Sequence, residues 1–167
     1  GSVLTDIPDW ASSTVESLNE QGWIGEVGEV RQWNWIASER LPGWGLAFNR
    51  IAARPADADM GLLTKTRDLL AAVDLAGIPC LNRARCHAIG ASKSSQASLF
   101  VNCGVPTPWT QLVSTDTLGE KLAGIDHDFP LLIKANVGGR GQGISSVEDN
   151  QEETFAADGC AILQERI

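Results

Sequence analysis

The chain has 167 residues, a length that suits one ordinary domain or two small ones. Hydrophobic residues make up 43% of it and charged residues 20%, so the chain can bury a core and is unlike a disordered segment. Its net charge of −8 argues against nucleic-acid binding and against docking on an anionic membrane, although a local cluster of cations could still hold a small anion.

The first half of the chain alternates short apolar strands with amphipathic helices. In chain order we predict a strand at Val3–Asp6, a helix over about Ala11–Gln21, a half-buried strand at Val30–Ala37, an apolar stretch at Leu46–Phe48, a helix over Gly61–Ala76 that Gly77 ends, and a strand at Ile78–Leu81. Strands that alternate with helices indicate a small parallel α/β sheet.

A second unit is expected to begin near Asn82. Its predicted elements are a helix over Ser92–Cys103 closed by Gly104, a rigid extended segment at Pro106–Pro108, a strand at Trp109–Val113, a helix over about Leu118–Ala123, an apolar strand within Phe129–Val137, a glycine loop at Gly138–Gly143, a β-like run at Ile144–Val147, a helix around Glu152–Ala157 and a strand at Ala161–Glu165. The second unit therefore mixes strands and helices as well.

The cysteines give no sign of a metal or disulfide framework. Cys80, Cys86, Cys103 and Cys160 are dispersed, and no two of them have Cys-x-x-Cys spacing. Without a signal peptide, such cysteines are typical of reduced thiols in the cytoplasm. Cys86 is followed by a histidine, but the chain has only two histidines, so we expect no metal there. No apolar run approaches the ~20 residues that span a bilayer.

Lys134 stands inside an apolar strand, on the face that it shares with Leu132 and Asn136. A lysine buried there loses hydration at a cost of several kcal/mol unless an anion meets it. The alternative is a strand-end lysine whose ammonium reaches water.

The glycine loop that follows favours an anion for Lys134. It has four glycines in six positions, so its backbone N–H groups can approach phosphate oxygens closely. No Gly-Lys-Ser/Thr follows, and a β-like run replaces the helix of a dinucleotide fingerprint, so the loop is neither of those motifs. Strand, glycine loop and strand together predict a hairpin lid over phosphates, or else a plain mobile hairpin.

Several motifs in this order resemble the ATP-grasp superfamily. They are Ser92-Lys93, Gly104–Thr110, Phe129–Lys134, Gly138–Gly143 and Ile162–Glu165. The chain is most similar to the branch that ligates amino acids to carboxyl groups, which includes ribosomal-protein glutamate ligase, the lysine-biosynthesis carrier-protein ligases and glutathione-synthetase-like enzymes. The match runs from about Asn82 onward, and Phe48–Ile51 and Pro79–Asn82 resemble the pre-ATP-grasp domain.

The resemblance implies a pre-ATP-grasp α/β domain at residues 1–88 and the N-terminal lobe of an ATP-grasp domain at 89–167, incomplete at its C-terminus. It also implies three kinds of ATP-binding residue. Lys93 and Lys134 would bind the phosphates, and Gln164 and Glu165 would contact the adenine. The lid would consist of Gly138, Gly139, Arg140, Gly141, Gln142 and Gly143. Lys93 could instead be an exposed helix-start lysine, and Gln164 and Glu165 ordinary strand-end residues. Asn49-Arg50 would either touch substrate or cap a strand end.

The function that the resemblance implies is ATP-dependent ligation of a carboxylate to an amine through an acyl phosphate, with an amino acid, peptide or carrier protein as substrate. The Mg²⁺ ligands of the family would lie C-terminal to Ile167, so we expect this chain alone to be inactive. The partners would include no nucleic acid and no membrane, and a homo-oligomer is compatible with the sequence. The alternative is a non-catalytic protein- or peptide-binding module derived from half of an ATP-grasp fold.

Overall fold

The computed structural model describes residues 1–52, 59–125, 130–138, 143–147 and 158–167. The chain divides into two compact units, one drawn from Gly1–Ala53 and Gly61–Ala88 and the other containing Ile89–Ile167. Within the described residues, each unit has a four-stranded sheet of its own. The predicted α/β class, with a small parallel sheet followed by an α+β unit, is confirmed.

The first unit is a parallel sheet with helices on both faces. Its elements are β1 (Ser2–Thr5), α1 (Pro8–Glu20), β2 (Glu26–Glu29), β3 (Ala47–Asn49), α2 (Met60–Leu75) and β4 (Cys80–Leu81), with strand order β2-β1-β3-β4. Neighbouring residues of a strand face opposite ways. Val3 therefore packs with Ala11 and Val15 of α1, whereas Leu4 belongs to the cluster that contains Leu69 of α2.

One predicted strand of this unit is wrong. The strand after α1 is β2, and residues 30–46 of the described chain contain no strand where Val30–Ala37 was expected to form one. The alternation of tryptophans there has another cause, because their indoles fold over the core from a loop. The ring centroid of Trp33 lies 6.1 Å from that of Trp35 and 5.2 Å from that of Trp44. These tryptophans are partly buried and cover the core.

The second unit is built on an antiparallel sheet. Its elements are α4 (Lys93–Asn102), β5 (Thr110–Ser114), a 3₁₀ turn (Thr115–Thr117), α5 (Leu118–Gly124), β6 (Leu131–Ala135), β7 (Ile144–Ser146) and β8 (Cys160–Glu165), with strand order β5-β8-β6-β7. A helix that was not predicted, α3 (Ala84–Ala91), precedes α4 and contains the boundary between the units. The helix expected around Glu152–Ala157 lies outside the described residues.

The two faces of the second sheet differ in chemistry. One face carries the apolar cluster Val113, Ile133, Ala161 and Leu163, against which α5 packs Leu118 and Leu122. The strand register places Thr110 opposite Gln164, and Lys134 opposite Ile162, on the other face. We call it the polar face because it bears Thr110, Lys134 and Gln164 of the candidate site, although Leu112, Leu132 and Ile162 lie on it as well. None of the helices in the described ranges is long and apolar enough to cross a membrane.

Candidate functional site

Lys134 lies partly buried on the polar face of β6, as the alternation along the strand predicted. Its Nζ donates a hydrogen bond to Oε1 of Gln164 at 2.5 Å. Loss of hydration on burial lowers the pKa of Lys134 below its ordinary value. Within the described part of the chain, Lys134 forms no ion pair, so its partner is a neutral amide. The amide satisfies one N–H without neutralising the charge, which leaves the ammonium suited to an anion.

Gln164 is itself held on its other side. Its Nε2 donates to Oγ1 of Thr110 at 2.9 Å, and Oγ1 of Thr110 donates to the carbonyl of Pro108 at 2.8 Å. These bonds join the start of β5 and the C-terminal ends of β8 and β6 into one chain of polar contacts.

Lys93 is the first residue of α4, where the Ser92 side chain caps the helix by accepting from the Ser95 amide at 3.2 Å. The ammonium of Lys93 donates to the carbonyl of Ala135 at 2.5 Å and to that of Gly138 at 3.3 Å. It therefore lies over the end of β6 and the beginning of the glycine loop, and is not a free helix-start lysine.

Asn136 joins α4 to the end of β6, a role that the sequence analysis missed. Its side chain is buried, and its Oδ1 accepts from the Ser94 amide at 3.1 Å and from the Ser92 hydroxyl at 3.3 Å. Its Nδ2 donates to Oδ2 of Asp158 at 3.1 Å. The available signal was its position two residues after Lys134, at the start of a turn, but one sequence could not name the partners.

The glycine loop joins β6 to β7 in an antiparallel hairpin, with Lys134 opposite Ile144. The hairpin closes at Ala135, whose amide donates to the Gly143 carbonyl at 3.0 Å. Gly138 and Gly143 have φ angles of 144° and 65°, a region that favours glycine. The predicted lid residues Gly139, Arg140, Gly141 and Gln142 lie outside the described residues.

A cleft beside α4, which we call the α4 cleft, has a volume of about 330 Å³. Its lining residues are Lys93, Gln96, Ala97, Phe100, Val105, Pro106, Thr107, Pro108 and Gln164. The structure thus brings together Lys93 and Gln164, which lie 71 positions apart in the sequence numbering, and connects Lys134 to them through Gln164. The volume is within the range of small-molecule sites.

Glu165 has a different setting from its neighbour. Its Oε2 accepts from the Trp109 amide at 3.1 Å, and its own amide donates to the Trp109 carbonyl at 2.9 Å. It is not among the residues that line the α4 cleft. The carboxylate of Glu165 therefore fastens β8 to the start of β5.

In the first unit, Asn49 ties the ends of two strands together. Its Nδ2 donates to the Asn82 carbonyl at 3.0 Å, and Nδ2 of Asn82 donates to the Asn49 carbonyl at 2.9 Å. The capping interpretation therefore holds for Asn49. The exposed Arg50 donates to the Thr14 hydroxyl at 2.9 Å. Both line a cavity of about 460 Å³ that His87 also lines.

Comparison with solved structures shows that the chain shares its fold with ATP-grasp ligases. The chain resembles the RimK domain protein ATP-grasp from Sphaerobacter thermophilus, with a TM-score of 0.68 and 16% identity over 100% of this chain and 64% of that one. It also resembles D-alanyl-alanine synthetase A from Vibrio cholerae, with a TM-score of 0.62 and 15% identity over 99% of this chain and 59% of that one.

A third similar structure is the ATP-grasp ligase PsnB complexed with minimal precursor, with a TM-score of 0.54 and 18% identity over 99% of this chain and 64% of that one. No protein-family model matches the chain, and no curated protein matches its sequence. The chain spans about three fifths of the length of the similar structures, and the likeness establishes its fold.

Proposed function

We propose that this chain, which has an ATP-grasp fold, binds ATP on the polar face of its second sheet. In this proposal the α4 cleft holds the adenine, while Lys93, Lys134 and the loop Gly138–Gly143 hold the phosphates. The observation that carries it is the ammonium of Lys134, which has lost part of its hydration and which, among the described residues, is met only by the neutral amide of Gln164. An anion beside it would supply the missing charge.

The chemistry of the α4 cleft supports a planar heterocycle as its occupant. Its walls include the apolar side chains of Ala97, Phe100, Val105, Pro106 and Pro108. Polar groups come from Gln96, Thr107 and Gln164, so apolar contact and hydrogen bonding are both available to a purine. Glu165, which binds Trp109, would contribute backbone rather than carboxylate contacts near the base.

We also propose that residues 1–88 are a pre-ATP-grasp domain and that 89–167 are the N-terminal lobe of an ATP-grasp domain. The whole protein would ligate a carboxylate to an amine. The γ-phosphate of ATP would pass to the carboxylate, and the amine would displace phosphate from the acyl phosphate to leave an amide. The similarity to a D-alanyl-alanine synthetase and to a ligase complexed with a precursor supports an amino acid or peptide as the substrate.

Among the described residues, no set fits the magnesium that this chemistry uses. In the part of the chain that the structure describes, no three His, Cys, Asp or Glu side chains are grouped to hold a metal ion. The contribution that we assign to this chain is therefore charge neutralisation and positioning by its lysines and backbone.

Its four cysteines are unpaired, with Cys86 and Cys103 exposed, which supports a reducing compartment such as the cytoplasm.

Calorimetric titration of the chain with ATP, ADP and adenosine tests this proposal. We expect saturable binding of ATP and ADP and much weaker binding of adenosine, because phosphate contacts supply the charge-assisted part of the affinity. Equal affinity for adenosine and ATP would show that the lysines do not bind the phosphates. A chain that binds none of the three at millimolar concentration would contradict the proposal and favour a non-catalytic binding module.

A further inference from the structure

Thr110 occupies a special place on the polar face of the second sheet. It lies directly opposite Gln164 in the β5–β8 pair, and Gln164 lies one diagonal step from Lys134 in the β8–β6 pair. The three side chains therefore form a row across three strands, joined by hydrogen bonds of 2.9 Å and 2.5 Å.

The donors and acceptors in this row determine which way the Gln164 amide is turned. A threonine hydroxyl has one hydrogen, which Thr110 donates to the Pro108 carbonyl. Toward Gln164 the hydroxyl can then only accept, so it requires the NH₂ end of the amide on its side. The oxygen end of the amide must face Lys134. A reversed amide would place the NH₂ group of Gln164 against the ammonium, with two donors in contact and no acceptor between them.

We propose that Thr110 is a positioning residue that, through the amide of Gln164, holds the Lys134 ammonium in place to meet the anionic ligand. This inference rests on the proposed function for its consequence, which is nucleotide affinity. The positioning of Lys134 by Thr110 through Gln164 does not depend on nucleotide. Thr110 acts at a distance and need not touch the ligand itself.

The variants Thr110→Val and Thr110→Ser test the role of the hydroxyl. Valine keeps the branched shape but cannot accept from Gln164, whereas serine keeps the hydroxyl. We expect Thr110→Val to weaken ATP binding roughly 3–10-fold, the worth of one hydrogen bond, and Thr110→Ser to stay within about 2-fold of the parent chain. Equal affinities in all three proteins would overturn the inference. Should the valine variant not fold, Thr110→Ala is used in its place, because alanine also lacks the acceptor.

A double-mutant cycle tests whether Thr110 acts through Gln164. Gln164→Met removes the amide and keeps an extended side chain. Once the amide is gone, Thr110→Val should weaken ATP binding by less than about 2-fold further, because the groups belong to one network. Effects that simply multiply would show that Thr110 acts by another route and would overturn the inference.

A measurement without nucleotide separates this inference from the proposed function. The NMR titration of the Lys134 ammonium reports its pKa. The Gln164 oxygen accepts from the charged form and so favours it, which acts to raise this pKa. We expect Thr110→Val to lower the pKa of Lys134 and Thr110→Ser to leave it unchanged. An unchanged value in the valine variant overturns the positioning role, even if ATP binds. A lowered value in a chain that binds no ATP retains the positioning role and refutes the proposed function.

Discussion

The side chains of Lys134 and Gln164 meet across β6 and β8, with Nζ 2.5 Å from Oε1. A carboxylate at the same place would have neutralised the lysine and made the pair a structural salt bridge. An amide instead satisfies an N–H and, among the residues that the structure describes, leaves the positive charge without a counter-ion in a partly buried position. The reduced hydration of the Lys134 charge is therefore a cost in the empty protein, and a bound anion would offset it.

Replacement of Lys134 by methionine should separate stability from affinity. The variant keeps the apolar stem of the side chain and loses a charge whose hydration is reduced, so its melting temperature without nucleotide should stay the same or rise. Its affinity for ATP should fall by ~1.5–3 kcal/mol, the usual worth of a charge-assisted hydrogen bond. Thermal melts with and without Mg-ATP measure both quantities.

The matched control is Lys121→Met, which removes a lysine from an exposed position of α5. It should leave the ATP-induced shift in melting temperature unchanged. If Lys134→Met also leaves that shift unchanged, Lys134 does not belong to the nucleotide site. A fall in stability with unchanged affinity would make Lys134 a structural residue.

Lys93 should behave in the opposite way when no nucleotide is present. Its ammonium donates to the carbonyls of Ala135 and Gly138, so Lys93→Met removes a donor from the backbone at the end of β6. We expect the free energy of unfolding to fall by about 1–3 kcal/mol, which denaturant titration can measure. Lys93→Arg should recover part of that loss, since it restores donors. A methionine variant as stable as the parent would show that these contacts contribute nothing.

Gly143 should be intolerant of a side chain for conformational reasons. Its φ of 65° is left-handed, and a Cβ there would lie 3.4 Å from the Cβ of Ala135. Gly143→Ala should lower the free energy of unfolding by ~1–2 kcal/mol. Gly119→Ala is the control, because Gly119 lies in α5 with no atom within 4 Å of the added Cβ. That change should be neutral or stabilise by up to ~1 kcal/mol. Equal effects of the two substitutions would contradict the argument.

Local patterns were enough to predict much of the second unit. An apolar strand interrupted by one lysine, followed by a glycine loop and a second β-like run, predicted the β6–β7 hairpin and the face on which Lys134 lies. The first unit was harder, because the alternation of Trp33 and Trp35 imitates a strand although both indoles belong to a loop folded over the core. Period-2 patterns cannot distinguish these two cases when the residues are few.

The partners of the site residues could not be predicted. Thr110 and Gln164 are 54 positions apart, and only the register of β5 against β8 places them opposite each other. Asn136 likewise meets the Ser94 amide across 42 positions. Such pairs depend on strand order, which one sequence without homologues does not contain. Lys93 was expected to bind phosphates, and nothing in the sequence indicated that its ammonium also donates to carbonyls at the end of β6.

His87 should make the stability of the chain depend on pH. Its side chain is buried, and its Nε2 is buried with no hydrogen-bond partner among the described residues. Loss of hydration lowers the pKa of His87 below 6.5, although the Ala52 carbonyl and the Asp6 carboxylate act in the opposite direction. The unfolded chain therefore binds the proton more readily than the folded chain. Stability is undiminished above pH ~6.5 and falls as the pH drops toward the folded pKa.

Denaturant titrations between pH 7.5 and 5 should show this decline, with a slope of at most ~1.4 kcal/mol per pH unit from this one group. In His87→Gln the decline should be smaller, because glutamine takes up no proton in this range. The variant should also be less stable at pH 7.5, since its amide is no better satisfied in the same buried place. His127→Gln serves as the control, because it removes the other histidine of the chain. If the decline disappears in His127→Gln and persists in His87→Gln, the proton is taken up by His127 and the prediction is refuted.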